Sequence, residues 1–210
     1  MRLVPLGVLA AALPLAAAPD QQLADLHATL TKLHAQPVTK EFIEVSGARP
    51  ELTTAKHQLR DWIETQLAAF KSQDDWAAFS RRINEALKPV QVEAEDDQNF
   101  LGTLGDVRVR FESQLLIVTT SVGILCQHDE SVYGYLRVND RWRRVWQSEQ
   151  NDYAVKKYAP QSIAAVHVWS DKERGRFFVL TLGNAWGCAS SWHPVYYRVW
   201  RVDASSEPQL

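Results

Sequence analysis

The sequence predicts an α+β protein: an N-terminal helical segment of about three helices packed on a C-terminal antiparallel all-β region of two similar blade-like or half-sandwich repeats. Three observations carry that expectation. Apolar residues recur at spacings of three and four up to Leu87, they recur at two from Asp106 onward, and one part of the β region aligns on a later part.

The chain opens on what reads as an export signal over residues 1–18. Arg2 is the positive start, residues 3–15 carry no charge, and Ala16, Ala17 and Ala18 offer the small side chains a signal peptidase needs. The apolar run is shorter than the roughly 20 residues of a membrane-spanning helix, and Pro5, Gly7 and Pro14 interrupt it. A secreted or periplasmic protein with no membrane span after cleavage is therefore expected. With 23 Lys and Arg against 25 Asp and Glu, and no basic stripe, nucleic acid is excluded as a partner.

Residues 19–92 form the helical segment. Leu23, Leu26, Leu30 and Leu33 make one apolar stripe, and Pro37 follows it. A second helix is expected from Pro50, whose missing N–H is harmless at a first helical position. Leu52, Ala55, Leu59, Trp62, Ile63 and Phe70 would face the core; Glu51, Lys56, Arg60, Asp61 and Glu64 would face water. Trp76, Phe79, Ile83 and Leu87 predict a third helix over residues 74–87, with Asp74 and Asp75 at its positive end and Pro89 closing it. Each helix has a single apolar stripe, so the segment should dock on the β region and not stand alone.

An acidic connector occupies residues 93–105, then the β region runs over residues 106–203 and a tail over residues 204–210. Period-two segments predict strands at 106–111, 115–120, 133–138, 142–147, 163–169, 177–182 and 196–202. Residues 115–126 (LLIVTTSVGILC) align without a gap on residues 177–188 (FFVLTLGNAWGC), which gives repeat units of about 107–147 and 166–202. Two such units cannot close a propeller. The expected arrangement is two small sheets face to face, with the helices covering an edge or an open face.

An even number of cysteines in an oxidising compartment predicts a disulfide between Cys126 and Cys188. Closing a loop of about 62 residues would add roughly 4 kcal/mol in the loop-entropy picture. The competing chemistry is a Cys188 nucleophile with His193 as its base. If the repeats are equivalent, the connections 121–132 and 183–195 are long loops lying side by side. They hold the candidate ligand-binding residues Trp186, Trp192, His193 and His128, with Asp129 and Glu130 nearby. Aromatic faces beside hydrogen-bonding groups suit a glycan or an extended peptide of the cell envelope.

The alternative is a secreted or periplasmic hydrolase with its site around His128 and His193. Ser190 and Ser191 lie near His193 without a nucleophile elbow, and Glu149 and Asp152 are the carboxylates a glycosidase would need. His128, Asp129 and His193 lack zinc-ligand spacing, and the run 93–97 lacks the spaced oxygens of a calcium loop, so no metal and no cofactor is expected. In the strand 142–147, Trp142, Arg144 and Trp146 should share one face, as a cation–π ladder or as a recognition strip.

Overall fold

The computed structural model of the chain describes residues 18–36, 50–70, 75–93, 100–124, 127–151, 161–171, 176–185 and 195–203. Among them are three α-helices, α1 Pro19–His34, α2 Pro50–Ala69 and α3 Trp76–Leu87. Seven strands follow: β1 Arg108–Glu112, β2 Leu115–Ile124, β3 Gln127–Val138, β4 Arg141–Ser148, β5 Gln161–Asp171, β6 Arg176–Ala185 and β7 Val195–Asp203. The protein is thus an α+β fold with a C-terminal all-β region.

Local signals account for the helix boundaries. Pro19 and Pro50 stand at first helical positions, where a missing N–H costs nothing. Asp75 caps α3, its Oδ1 accepting from the Ala78 N–H at 2.7 Å. Pro89 lies inside a single 3-10 turn, Lys88–Val90, that finishes the helix. Residue 74 and the neighbouring run 71–73 lie outside the described residues.

Both sheets are antiparallel meanders, sheet 1 in the order β1-β2-β3-β4 and sheet 2 in the order β5-β6-β7. The hairpins of sheet 1 turn on Ser113-Gln114 and Asn139-Asp140, all four with positive φ, as a two-residue turn matched to strand twist requires. Sheet 1 is the middle layer of three. Leu116, Val118, Val122 and Ile124 of β2 join the core beneath the helices, with Tyr133 and Tyr135 of β3. Leu115 and Ile117 of the same strand join Val132, Val145 and Trp146 against Val166, Val168, Phe177, Val179 and Val202 of sheet 2. With both faces covered, β2 is buried along its whole length.

A strap of chain crosses the far end of β2. Gly102 donates to the Gly123 carbonyl at 2.9 Å and Gly123 to the Thr103 carbonyl at 2.7 Å. A Cβ at Gly123 would stand 1.9 Å from the Phe100 carbonyl oxygen, so only glycine allows the crossing.

Four expectations need correction. Residues 121–132 are not a long loop: β2 continues to Ile124 and β3 starts at Gln127, so His128, Asp129 and Glu130 lie on a strand. Trp142 and Trp146 do not share a face. Gly134 pairs with Trp146 but Tyr135 with Arg144, leaving Val145 as the extra residue of a β-bulge. Trp142 therefore meets Trp76 under the helices at 5.2 Å, while Trp146 meets Trp200 between the sheets at 6.0 Å.

The polar face of α2 is only partly a solvent face: Asp61 is exposed as expected, but the stripe of Lys56, Arg60 and Glu64 turns toward sheet 1, and Lys56 is 1% exposed. Finally, the aligned segments 115–126 and 177–188 overlap the middle strands of the two meanders, but their pairings differ. Leu116 opposes Tyr135 and Phe178 opposes Arg201, whereas matching residues 133–139 to residues 197–203, as the repeat requires downstream, puts Tyr135 on Val199. Similar strand order thus comes without equivalent register.

Candidate functional site

Two regions stand out, one closed and one open. The closed region is an ionic seam between α2 and sheet 1. Lys56, Arg60 and Glu64 recur every fourth residue, so one stripe of the helix faces the strands. Lys56 Nζ donates to Asp129 Oδ2 at 2.9 Å and to the Gln150 carbonyl at 2.5 Å, with both ionic side chains buried. His57 Nε2 donates to Glu149 Oε1 at 2.9 Å, and the Tyr133 hydroxyl donates to Glu149 Oε2. Arg60 stands 3.7 Å from the same carboxylate. One turn on, Glu64 Oε1 accepts from Arg144 at 2.8 Å and from the Tyr135 hydroxyl at 3.2 Å.

Burial acts to raise the Glu149 carboxyl, but the Tyr133 hydrogen bond and the Lys56, Asn151 and Arg60 contributions outweigh it and hold it below its ordinary value. Glu64 goes the other way: burial raises it and Arg144 only partly offsets that. Burial, then Glu149, pushes the Tyr133 phenol far up, so it stays a proton donor. A histidine oriented by a carboxylate resembles half of a hydrolytic triad. Among the described residues no hydroxyl or thiol is hydrogen-bonded to the other nitrogen of His57. The seam's chemistry is that of a clamp joining α2 to β3 and β4.

The open region is the outer face of sheet 2 and its β7 edge. Cross-strand rows on that face are Trp169, Phe178 and Arg201; His167, Leu180 and Val199; and Ala165, Leu182 and Tyr197. Trp169 and Phe178 stack at 5.7 Å and 17°. Val195 is 70% exposed, Tyr197 73% and Val199 55%.

The two edges of sheet 2 are treated differently. Along β5, Glu112 Oε1 accepts from the Val168 N–H at 3.0 Å, Ser113 Oγ donates to the Val168 carbonyl at 3.2 Å, and Arg110 donates to the Val166 carbonyl. Glu130 Oε2 accepts from the Ile163 N–H at 2.5 Å. Side chains of sheet 1 thus replace a neighbouring strand. Along β7 nine residues pair with β6 in one unbroken register, and no described strand lies on the far side.

Of the residues singled out from sequence, Trp186, Trp192, His193, Cys126 and Cys188 lie outside the described residues, as do Ser190, Ser191 and Asp152. His128 is half-buried on β3; its ring tilts against Phe100 at 5.6 Å, its Nε2 is 3.4 Å from Thr103 Oγ1, and burial lowers its pKa. Asp129, its neighbour, points to the opposite face as the partner of Lys56. His128 and Asp129 therefore do not act on one ligand. Glu149 is reached by His57 and Tyr133, and among the described residues by no second carboxylate. Among the described residues no group of three His, Cys, Asp or Glu side chains could hold a metal ion, and no helix is long and apolar enough to cross a membrane.

Sequence reasoning missed the seam because Lys56, Arg60 and Glu64 have the spacing of any solvated helix face. Two buried tyrosines on β3, Tyr133 and Tyr135, were the available signal: a buried phenol needs a polar partner. No protein-family model, curated protein or solved structure matches the chain.

Proposed function

We propose that this protein is an extracytoplasmic binding module, without catalytic activity of its own, that captures an extended peptide by strand addition along β7. The observation that carries the reading is the contrast between the two edges of sheet 2: side chains of sheet 1 close one, and no described strand pairs with the other. Unprotected edges are hazardous, and proteins blunt them with charge, bulges or shortness. Strand β4 has a bulge and Arg141, Arg143 and Arg144, and β1 has five residues with Arg108, Arg110 and Glu112. By contrast β7 pairs over nine residues without a bulge, with Val195, Tyr197 and Val199 exposed on the outer face, although it too carries Arg198 and Arg201. Main-chain hydrogen bonds would supply affinity and alternate side chains specificity.

The segment 186–194 joins β6 to β7, so Trp186, Trp192 and His193 stand in the sequence beside this edge. In this reading they extend the binding surface. The Cys126–Cys188 disulfide belongs to the same proposal, as a tie between the β2–β3 turn and the β6–β7 connection. Thiol titration of the denatured, unreduced secreted protein should find no thiol; two thiols would remove the tie. Export itself is tested by N-terminal sequencing of the protein recovered outside the cytoplasm, which should begin near residue 19.

The decisive experiment selects ligands from a displayed random-peptide library on the full chain. Selected peptides should alternate apolar and polar residues, lose binding when alternate backbone nitrogens are methylated, and fail on Tyr197→Arg. Binding indifferent to N-methylation would exclude strand addition. A stable dimer by sedimentation, with no peptide selected, would assign the edge to a second copy and overturn the proposal.

A further inference from the structure

At the opposite end of sheet 1 lies a cleft of about 160 Å3 lined by Trp76, Phe111, Gln114, Leu136, Arg137 and Trp142. Three elements build it: the start of α3, the β1–β2 hairpin and the β3–β4 hairpin. The rings of Trp76 and Trp142 meet edge-on at 5.2 Å and 81°. Phe111 lies nearly parallel to Trp76, at 6.2 Å and 20°, and edge-on to Trp142, at 6.4 Å and 80°. Phe111 is 51% exposed, so one face of its ring is open to a ligand at the rim of the cleft.

The polar lining is as specific as the aromatic one. Gln114 is exposed at φ 75°, in a hairpin turn where glycine or asparagine would be the unstrained choice. A long amide is thus kept at the rim against the local backbone preference, and such outliers concentrate at binding sites. Arg137 donates to Asp140 Oδ1 at 3.1 Å, yet its Nε has no hydrogen-bond partner among the described residues. The same holds for Trp76 Nε1. Trp62, Arg144, Trp146 and Trp200 carry buried donors of the same kind elsewhere, and these two belong to side chains of the same cleft.

Size and charge narrow the ligand. The cleft is below the roughly 300 Å3 at which pockets enclose a drug-sized molecule, so it takes one ring and leaves the rest of a longer ligand outside. A quaternary ammonium would suit aromatic walls, but Arg137 forms part of the lining and Arg82 stands over the Phe79 ring that touches Trp76. Positive charge is therefore disfavoured. A sugar ring fits both halves of the lining: its C–H face is apolar and its hydroxyls accept and donate hydrogen bonds.

We propose that this cleft is a saccharide-binding site, which takes a single pyranose-type ring with its C–H face on the exposed Phe111, its edge toward Trp142 and its hydroxyls toward Gln114 and Arg137. It does not rest on the strand-addition reading of β7, which uses a strand of the other sheet. The test is tryptophan-fluorescence titration of the full chain with three probes: a chitin trisaccharide, a cellulose trisaccharide and a trisaccharide of galacturonic acid. Saturable quenching by at least one is expected, at concentrations up to about 10 mM, which fill a site of roughly 1 mM Kd. Phe111→Ala should weaken it about tenfold or more, and Gln114→Gly several-fold, with the unfolding midpoint unchanged or raised in the glycine variant because its backbone strain is relieved. Trp142 is part of the packed core and is left alone. Tyr197→Arg should leave the titration as it is. Absence of quenching by all three probes, or quenching indifferent to Phe111→Ala and Gln114→Gly, overturns the proposal.

Discussion

Sheets 1 and 2 are both antiparallel meanders drawn from the same residue types, and they meet across one shared core. Sheet 1 carries helices on its other face; sheet 2 carries none among the described residues. The consequences are opposite. Between α2 and sheet 1 ionisable groups are paired across the interface, Lys56 with Asp129 fully buried and His57 with Glu149 and Arg144 with Glu64 partly so. In sheet 2 apolar and aromatic side chains are left in water on one face. Enclosure, more than composition, separates the face of sheet 1 packed under the helices from the open outer face of sheet 2.

The comparison can be broken most sharply at Lys56. Lys56→Met leaves the Asp129 carboxylate buried without its cation and should cost about 3–5 kcal/mol in denaturant unfolding. Lys56→Met with Asp129→Leu should recover most of that loss, since a buried ion pair replaced by apolar groups is often neutral. If the single change costs under about 1 kcal/mol, the seam is not the clamp described here.

A matched pair of valines sharpens it next. Val179 is buried in the shared core and Val199 is open on the outer face of the same sheet. Val179→Ala should destabilise by about 2 kcal/mol, and Val199→Ala by less than about 0.5 kcal/mol. Equal costs would mean that the outer face is covered in solution.

The smallest effects are those of pH. Because the Glu149 carboxyl is held below its ordinary value of 4.5, its ionised form stabilises the folded state at pH above that value, and the contribution is lost as pH falls through the folded value. The stability difference between wild type and Glu149→Gln should thus be largest near neutrality and shrink below pH 4.5. Glu64, raised by burial, acts with opposite sign: its contribution is present in acid and is lost as pH rises through its folded value. Glu64→Gln should therefore gain relative to wild type as pH rises. Parallel profiles for the two variants would contradict these assignments.

Fold class and element order were legible in the residues themselves. The spacing of Leu26, Leu30 and Leu33, the Pro50 start and the period-two runs each act over a few neighbours, and local sterics and burial read them in the same way. All seven strands stand where alternation puts them, though β2 and β3 are longer than expected, because pairing across the sheet extended them through Ser121 and His128. What sequence alone could not decide is which covered surface each face would meet. A Lys-Arg-Glu stripe looks the same whether water or a tyrosine-bearing sheet lies above it, so Lys56 read as solvated and is buried. A one-residue bulge after Arg144 reversed the alternation and sent Trp142 and Trp146 to opposite cores. Trp76 and Phe111 belong to segments about 35 residues apart, and only the docking of α3 on the β1–β2 hairpin brings them to one cleft. Periodicity is a property of short stretches of chain. Partnership across layers is settled by long-range packing, which leaves no local mark in the residues that take part.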